Sequence, residues 1–474
     1  MGESQHLFTP AFNRSVRVEA RDEDLSGDAG AVLVRDILER TGVLDRLVAH
    51  LHDPRDPRHL VHDFKGLICT AVVLIAQGWR AGQDADRLRG DPAIRIAASA
   101  TRGDSTAARA LPSQPTLSRL LDILTRPGNL KVLSEAIMEV AGARLRATRQ
   151  GHRQRYLTID IDGLPLEVHG HQPGAMWNGH HGGRIYAPLI ASAGETGDML
   201  DARLRPGNAA SAQDAVTFIR DVVARAEREL CQVALVRFDA GFPNEALLHA
   251  LEADGTPYVA RIKANPALDR LGAPYKRRPR GRPPTEPRQW CQDLSYQAGT
   301  WSRPRRVIMV VKERPDDLLL DRFYLVTSIA AERMDAEAVL AHYRERGTAE
   351  GHMGELKSVL DPALSSTPRP KATYEGRPVI RAVDIGSDTD AFARNAALLK
   401  LNLLAYEALH IARMALATER NEGISLRRLR RLVLVTGARI VRHGRRLTLV
   451  VERRFADVWR QVCQRLDRWH WAPP

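Results

Sequence analysis

Between Ala341 and Leu360 the chain reads AHYRERGTAEGHMGELKSVL, and this stretch restricts the rest of the fold more than any other. At 3.6 residues per turn, Tyr343, Arg346, Glu350 and Lys357 fall within roughly 60° of arc on one helical face. One carboxylate then stands among three groups suited to gripping phosphate. Met353, Leu356 and Leu360 lie beside that stripe and would seat the helix on a core. An ordinary solvated helix face carries similar charges, so the spacing acquires meaning only with partners elsewhere. Gly347, Gly351 and Gly354 weaken a continuous helix, which predicts a break near Gly347.

Two earlier segments offer acids at strand ends. In YLTIDIDGLPLEV, Leu157, Ile159 and Ile161 alternate with Thr158, Asp160 and Asp162, so a strand puts both aspartates on one face. VALVRF reads as a buried strand that ends on Asp239, followed by Ala240-Gly241-Phe242. Aspartates beside glycine often only make turns. Carboxylates from separate elements are nonetheless what a two-metal site needs, with its ions about 3.5–4 Å apart.

The spacing Tyr-x2-Arg-x3-Glu-x6-Lys, preceded by those two acidic segments in order, resembles the signature of DDE transposases of bacterial insertion sequences. GDP at Gly90 to Pro92, LPSQPTLSR at Leu111 to Arg119, Gly170, Gln172, Gly179, LRPGN at Leu204 to Asn208, Asn395 and Ala405-Tyr406 look like segments of insertion-sequence family 1380. The likeness extends over most of residues 60–460. It implies an α/β chain with an RNase H-like, retroviral integrase-like catalytic core, interrupted by a β-rich insertion and preceded by a helical N-terminal domain. It also implies that Asp162, Asp239 and Glu350 hold two Mg²⁺ ions, with Mn²⁺ able to substitute. Asp162 is favoured as first ligand because related transposases keep Asp-Gly after the strand, and Asp160 stays open as its alternative. One metal would activate water, and later a DNA 3′-hydroxyl, while the other stabilises the leaving oxygen. Tyr343, Arg346 and Lys357 would hold the phosphodiester. The implied activity is cut-and-paste transposition on double-stranded DNA, both terminal repeats and target, by at least a homodimer in the DNA complex. A catalytically silent DNA-binding descendant and a nuclease that cuts without joining are the alternatives.

Composition is consistent with a polyanionic partner. The 474 residues carry a net charge of +13, mostly as Arg, and the guanidinium fork suits phosphate. Cys69, Cys231, Cys291 and Cys463 are scattered without a Cys-x2-Cys pair, which reads as free thiols in a reducing compartment. No signal segment opens the sequence, and the apolar run around Ile68 to Ala76 is too short to span a bilayer. The expectation is a protein of the bacterial cytoplasm, associated with the nucleoid and not with membrane.

Taken in order, residues 1–28 read as a flexible, polar segment. Residues 29–150 read as helices with apolar residues at three- and four-residue spacing, a candidate DNA-binding bundle or a packing domain. Arg144, Arg146, Arg149, Arg153 and Arg155 make a basic connector before the first part of the core, 151–263. Within it His169, His171, His180 and His181 lack a structural-zinc spacing, and Ser211 to Asp214 forms a loose capping box. Residues 264–330 hold a basic linker and the β-rich insertion. There Pro279-Arg280-Gly281-Arg282-Pro283 looks like an AT-hook core, with Arg280 and Arg282 reaching into a minor groove, or a solvated basic loop. Residues 331–416 complete the core with the signature helix and the apolar helix FARNAALLKLNLLAYEALHIARMAL, and 417–474 form a basic end with a hairpin at His443-Gly444 and a final helix.

Overall fold

The structure, a computed structural model, describes residues 5–99, 110–148, 156–168, 170–281, 284–366, 370–371, 384–385, 388–417, 424–444 and 446–471. The connector residues Arg149, Arg153 and Arg155, with His169 and Arg282, lie outside the described residues. The chain divides into two compact units, one of residues 1–123 and 408–474 and one of residues 124–407.

In the first unit, helices Ala31–Arg40, Val43–His50, Phe64–Gln77 and Pro92–Ala98 bury their apolar faces against one another. Aspartates start two of them. Asp63 accepts from the Gly66 amide at 2.6 Å and Asp91 from the Ile94 amide at 2.9 Å, with Pro92 at the first helical position, so donors left open by the first turn are satisfied. Gly78 ends the long apolar helix at φ +93°. A Cβ there would also meet the Arg430 guanidinium, which donates to the Gln77 carbonyl at 2.6 Å. The C-terminal strands Ala438–His443 and Arg446–Val451 form the expected hairpin and take Leu25–Ser26 as a third strand, and Ala456–Arg468 is the final helix.

The second unit is built on a sheet of eight strands: β1 (Tyr156–Gly163), β2 (Leu189–Ala193), β3 (Met199–Arg203), β4 (Gln232–Phe238), β5 (Tyr258–Ile262), β6 (Arg288–Tyr296), β7 (Arg305–Glu313) and β8 (Asp321–Thr327). Their spatial order is β6-β7-β8-β5-β4-β1-β2-β3. β4 is parallel to both β1 and β5, and the remaining neighbours are antiparallel. The insertion strands β6, β7 and β8 therefore extend the central sheet beyond β5.

Alternation along β1 separates two environments. Leu157, Ile159 and Ile161 join a core with Ala215, Phe218, Ile219 and Val222 of helix α1 (Ala215–Glu229) and with Leu247, Leu248 and Leu251 of α2 (Glu245–Ala253). Leu235, Val259, Ile308, Val310 and Leu325 form a second cluster with Ala336, Val339 and Leu340 of α3 (Ala336–Arg344). The capping box at Ser211 to Asp214 does not form: Asp214 precedes α1 at φ +59° without a side-chain cap bond. Helix Asn129–Thr148, which periodicity groups with the helices before it, packs instead on this unit, where buried Arg144 pairs with buried Asp198 and Met138 and Ala141 enter the sheet core. Along the edge strand β3, Lys400 donates to the Ala202 carbonyl at 2.8 Å and Glu407 accepts from the Met199 amide at 2.6 Å. The apolar helix Asp388–Leu416 thus covers an edge that would otherwise present open backbone groups.

Replacing Gly78 with Ala combines a left-handed backbone with a clash against Arg430. Urea unfolding of Gly78→Ala should show a loss of about 1–3 kcal/mol; unchanged stability would mean that the helix end relaxes freely.

Candidate active site

The carboxyl ends of β1 and β4 lie side by side, and each carries an aspartate. Asp162 closes β1 and accepts from the Gly163 amide at 2.8 Å. Asp239 follows β4 and accepts from the Gly241 amide at 2.9 Å. The third acid arrives on the broken signature helix. That segment is α3 followed by α4 (Arg346–Glu355), parted at Glu345, and it ends in a π-helical turn at Leu356–Leu360. The break falls two residues before the expected Gly347. Asp361, at φ +45°, terminates the turn.

Arg346 joins these elements. Its guanidinium is buried, donates to Asp162 at 2.6 Å, and also pairs with Glu350 one turn along α4. Its Nε is buried with no hydrogen-bond partner among the described residues. Asp239, Tyr343, Arg346 and Glu350 line one open cavity of about 600 Å³. The Asp162 carboxyl is raised from 3.8 to about 6. Loss of water does most of this, Arg346 opposes it, and the charges of Asp239 and Glu350 add to it. Burial likewise raises the Tyr343 phenol.

Asp160, on the same face of β1, does something different. It is fully buried and takes both arms of the Arg237 guanidinium at 2.7 Å each. Arg237 also donates to the His342 carbonyl and to Glu345 at 3.2 Å. This pair ties β1 and β4 to the point where the signature helix breaks, and Asp160 has no free oxygen directed at the cavity.

Other expected site residues sit elsewhere. Lys357 does not line the cavity; its ammonium lies 3.7 Å from Glu167. Arg280 is exposed and is also no part of the cavity wall. The rings of His180 and His181 are 4.9 Å apart at the surface. Besides Ala240 and Gly347, five wall residues have no place in the signature: Arg261, Lys312, Asp321, Phe323 and Arg344. Arg261 lies in the strand-like stretch PYVARIK, which does not mark it as a site residue. Arg344 lies within the signature stretch on α3, whereas Lys312, Asp321 and Phe323 depend on how the insertion strands register against β5, which no local pattern encodes.

Residues 8–372 match the family model described as transposase DDE domain group 1. The chain belongs to that family. It is therefore a DNA transposase by family, in the nuclease and transposase class of enzymes, although no curated protein matches it. One solved structure it resembles is the piggyBac transposase synaptic complex with hairpin DNA. Identity is 13%, coverage is 85% of this chain and 79% of that one, and the TM-score is 0.40.

DDE domains generally use divalent metal ions. Three carboxylates are hard oxygen donors of the kind such ions take, and the crowding of negative charge at Asp162 is what a cation would relieve. Among the described residues no three His, Cys, Asp or Glu side chains are gathered closely enough to share an ion. Arg346 stands between Asp162 and Glu350 in the place of such a charge. The chemistry of the three acids suits such an ion, and in this structure the Arg346 guanidinium lies against two of them.

Two measurements separate the neighbouring aspartates. Asp160→Asn takes from buried Arg237 its buried carboxylate, leaving it the exposed Glu345, and should cost about 3–5 kcal/mol in urea unfolding. Asp162→Asn should act through pH. A carboxyl raised by folding contributes its stability below the unfolded value of 3.8 and loses it as pH climbs through about 6. In metal-free buffer the wild-type unfolding free energy should fall across that window, and Asp162→Asn should flatten the fall. Parallel curves would contradict the assignment.

Proposed function

We propose that this protein cuts the ends of a bacterial insertion sequence out of DNA and joins them to a target by cut-and-paste transposition, with Asp162, Asp239 and Glu350 as its catalytic carboxylates. The observation that carries this is that Arg346 bridges Asp162 and Glu350 while Glu350 and Asp239 line one cavity, the acids coming from elements separated in the chain by up to 188 positions (350 − 162). The sheet order β3-β2-β1-β4-β5, with β2 alone antiparallel to its neighbour β1 while β4 and β5 run parallel to β1, supports an RNase H-like core. Two Mg²⁺ ions, or Mn²⁺ in their place, would be held by the three carboxylates and would supply charge neutralisation at the attacking and leaving oxygens.

The chain's own side chains do the positioning. Asp162 and Asp239 project from a rigid sheet, so their separation is set by strand spacing and not by loop motion. Glu350 comes from a helix locked at its break by Arg237. Arg346, with a donor to spare at Nε, exchanges its carboxylates for a DNA phosphate as the strand enters, and Tyr343 closes the wall beside it. Lys357 contacts the strand farther along, beyond the cavity. Attack by water, then by the freed 3′-hydroxyl, needs no covalent protein intermediate. Cutting two ends together requires at least two copies in the DNA complex, in the bacterial nucleoid.

One observation favours a second reading. Arg346 seated on two of the three acids is the arrangement expected of a silent DNA-binding descendant. Incubation with linear donor ends, Mg²⁺ and a circular target decides. An active transposase yields joined product, and Asp239→Ala abolishes strand cleavage by more than roughly 100-fold while retaining DNA binding. Cleavage without joining indicates a nuclease, and binding with neither product indicates the silent descendant.

A further inference from the structure

Asp162, Asp239, Arg261, Phe323 and Lys312 lie on five adjacent strands or their immediate ends, in the order β1, β4, β5, β8, β7. Register puts the last three on one face. Arg261 pairs with Leu325, two residues from Phe323, and Phe323 pairs with Val310, two residues from Lys312. Leu325 and Val310 both belong to the cluster under α3, so the same face carries the signature helix. From Asp239 to Lys312 the row crosses three strand spacings, about 14 Å. A row of that length reaches beyond one phosphate to its neighbours on the same strand.

The cations in this row are arranged unlike most arginines here. The Arg261 guanidinium carbon lies 5.3 Å from the centre of the Phe323 ring and the Lys312 ammonium 5.1 Å from it. Among the described residues neither takes part in an ion pair or a side-chain hydrogen bond, although Asp321 lines the same cavity. By contrast, Arg305, Arg306 and Arg322 on these same strands are each bonded to a carboxylate. Two positive charges resting on one ring, neither of them ion-paired even though Asp321 stands opposite Lys312 in the ladder, form a receptor for an anion in the wall of a cavity that holds Asp239 and Glu350. The ring's face holds both heads in place and offers no acceptor that would occupy them.

We propose that Arg261 and Lys312, seated on either strand flanking Phe323, form a backbone-phosphate track that carries the DNA strand away from the three acids across the insertion strands. The proposal rests on the transposase reading and gives the β-rich insertion a task in it. Neither residue belongs to the Tyr-Arg-Glu-Lys signature, and both are binding residues and not catalytic ones. The track also orients the strand: acids at one end and cations at the other let it enter with the scissile phosphate over Asp239 and the flanking phosphates over Phe323.

The test uses the full chain in EDTA, so that nothing is cut, and a fluorescein-labelled duplex of the element's terminal sequence. Affinity is read by anisotropy from roughly 50 to 200 mM salt. Arg261→Gln and Lys312→Gln should each lower the slope of log K against log salt by about 0.9, and the double variant by about 1.8. Arg261→Lys should restore the slope, which a merely structural role would not require. Circular dichroism confirms folding, and both single variants remain informative if the double one misfolds. Tight binding by the double variant with an unchanged slope overturns the track and leaves the transposase reading standing. A reduced slope in a protein that neither cuts nor joins supports the track and sinks the reading of activity. Failure of the wild-type chain to bind the duplex overturns both.

Discussion

The buried pair between Asp160 and Arg237 is the constraint from which the site follows. Neither group touches the cavity, and burying both costs more solvation than an isolated pair returns. What the pair secures is register. Asp160 lies on β1 and Arg237 on β4, directly opposite in the parallel ladder, and the remaining guanidinium arm reaches the end of α3. A one-residue slip of either strand would turn its acid to the far face, among the apolar side chains of α1 and α2. With the slip forbidden, Asp162 and Asp239 reach the carboxyl edge on the same face, and the helix break at Glu345 is drawn down over them.

That arrangement accounts for why the signature segment is two helices and not one. A straight helix from Ala336 to Leu360 would carry Tyr343, Glu350 and Lys357 along a single stripe. The break at Glu345 and the π-helical turn beyond Glu355 divide the stripe. Tyr343, Arg346 and Glu350 stay on the cavity, and Lys357 moves to Glu167. Irregular turns of this kind often accompany functional sites because they re-aim side chains that regular spacing would misplace. The insertion strands then continue the same face outward, changing its character from acidic at β1 and β4 to cationic at β5 and β7.

Much of this was legible in the residues. Alternation in YLTIDIDG located β1, the apolar run VALVRF located β4, and the glycines around residue 347 foretold a broken helix. The final hairpin and helix followed their local patterns. Between Asp160 and Asp162 the sequence offered little, since both share a face and differ only in what stands opposite, which is a matter of strand pairing. The place of Lys357 beside Glu167, off the cavity wall, had no signal in composition. Arg261, Lys312 and Phe323 come together only through the pairing of β5, β8 and β7, across up to 62 positions of chain (323 − 261). Arg144 and Asp198 likewise drew helix Asn129–Thr148 onto the sheet through a contact that no periodicity reports.

The account turns on three carboxylates acting as one cation site once Arg346 steps aside. Anomalous diffraction from crystals soaked in Mn²⁺ tests this most directly. The expected result is manganese bound by Asp162, Asp239 and Glu350, with Arg346 swung clear of them and Asp160 still on Arg237. Manganese at Asp160, or none at these acids while Arg346 keeps its place, would contradict it.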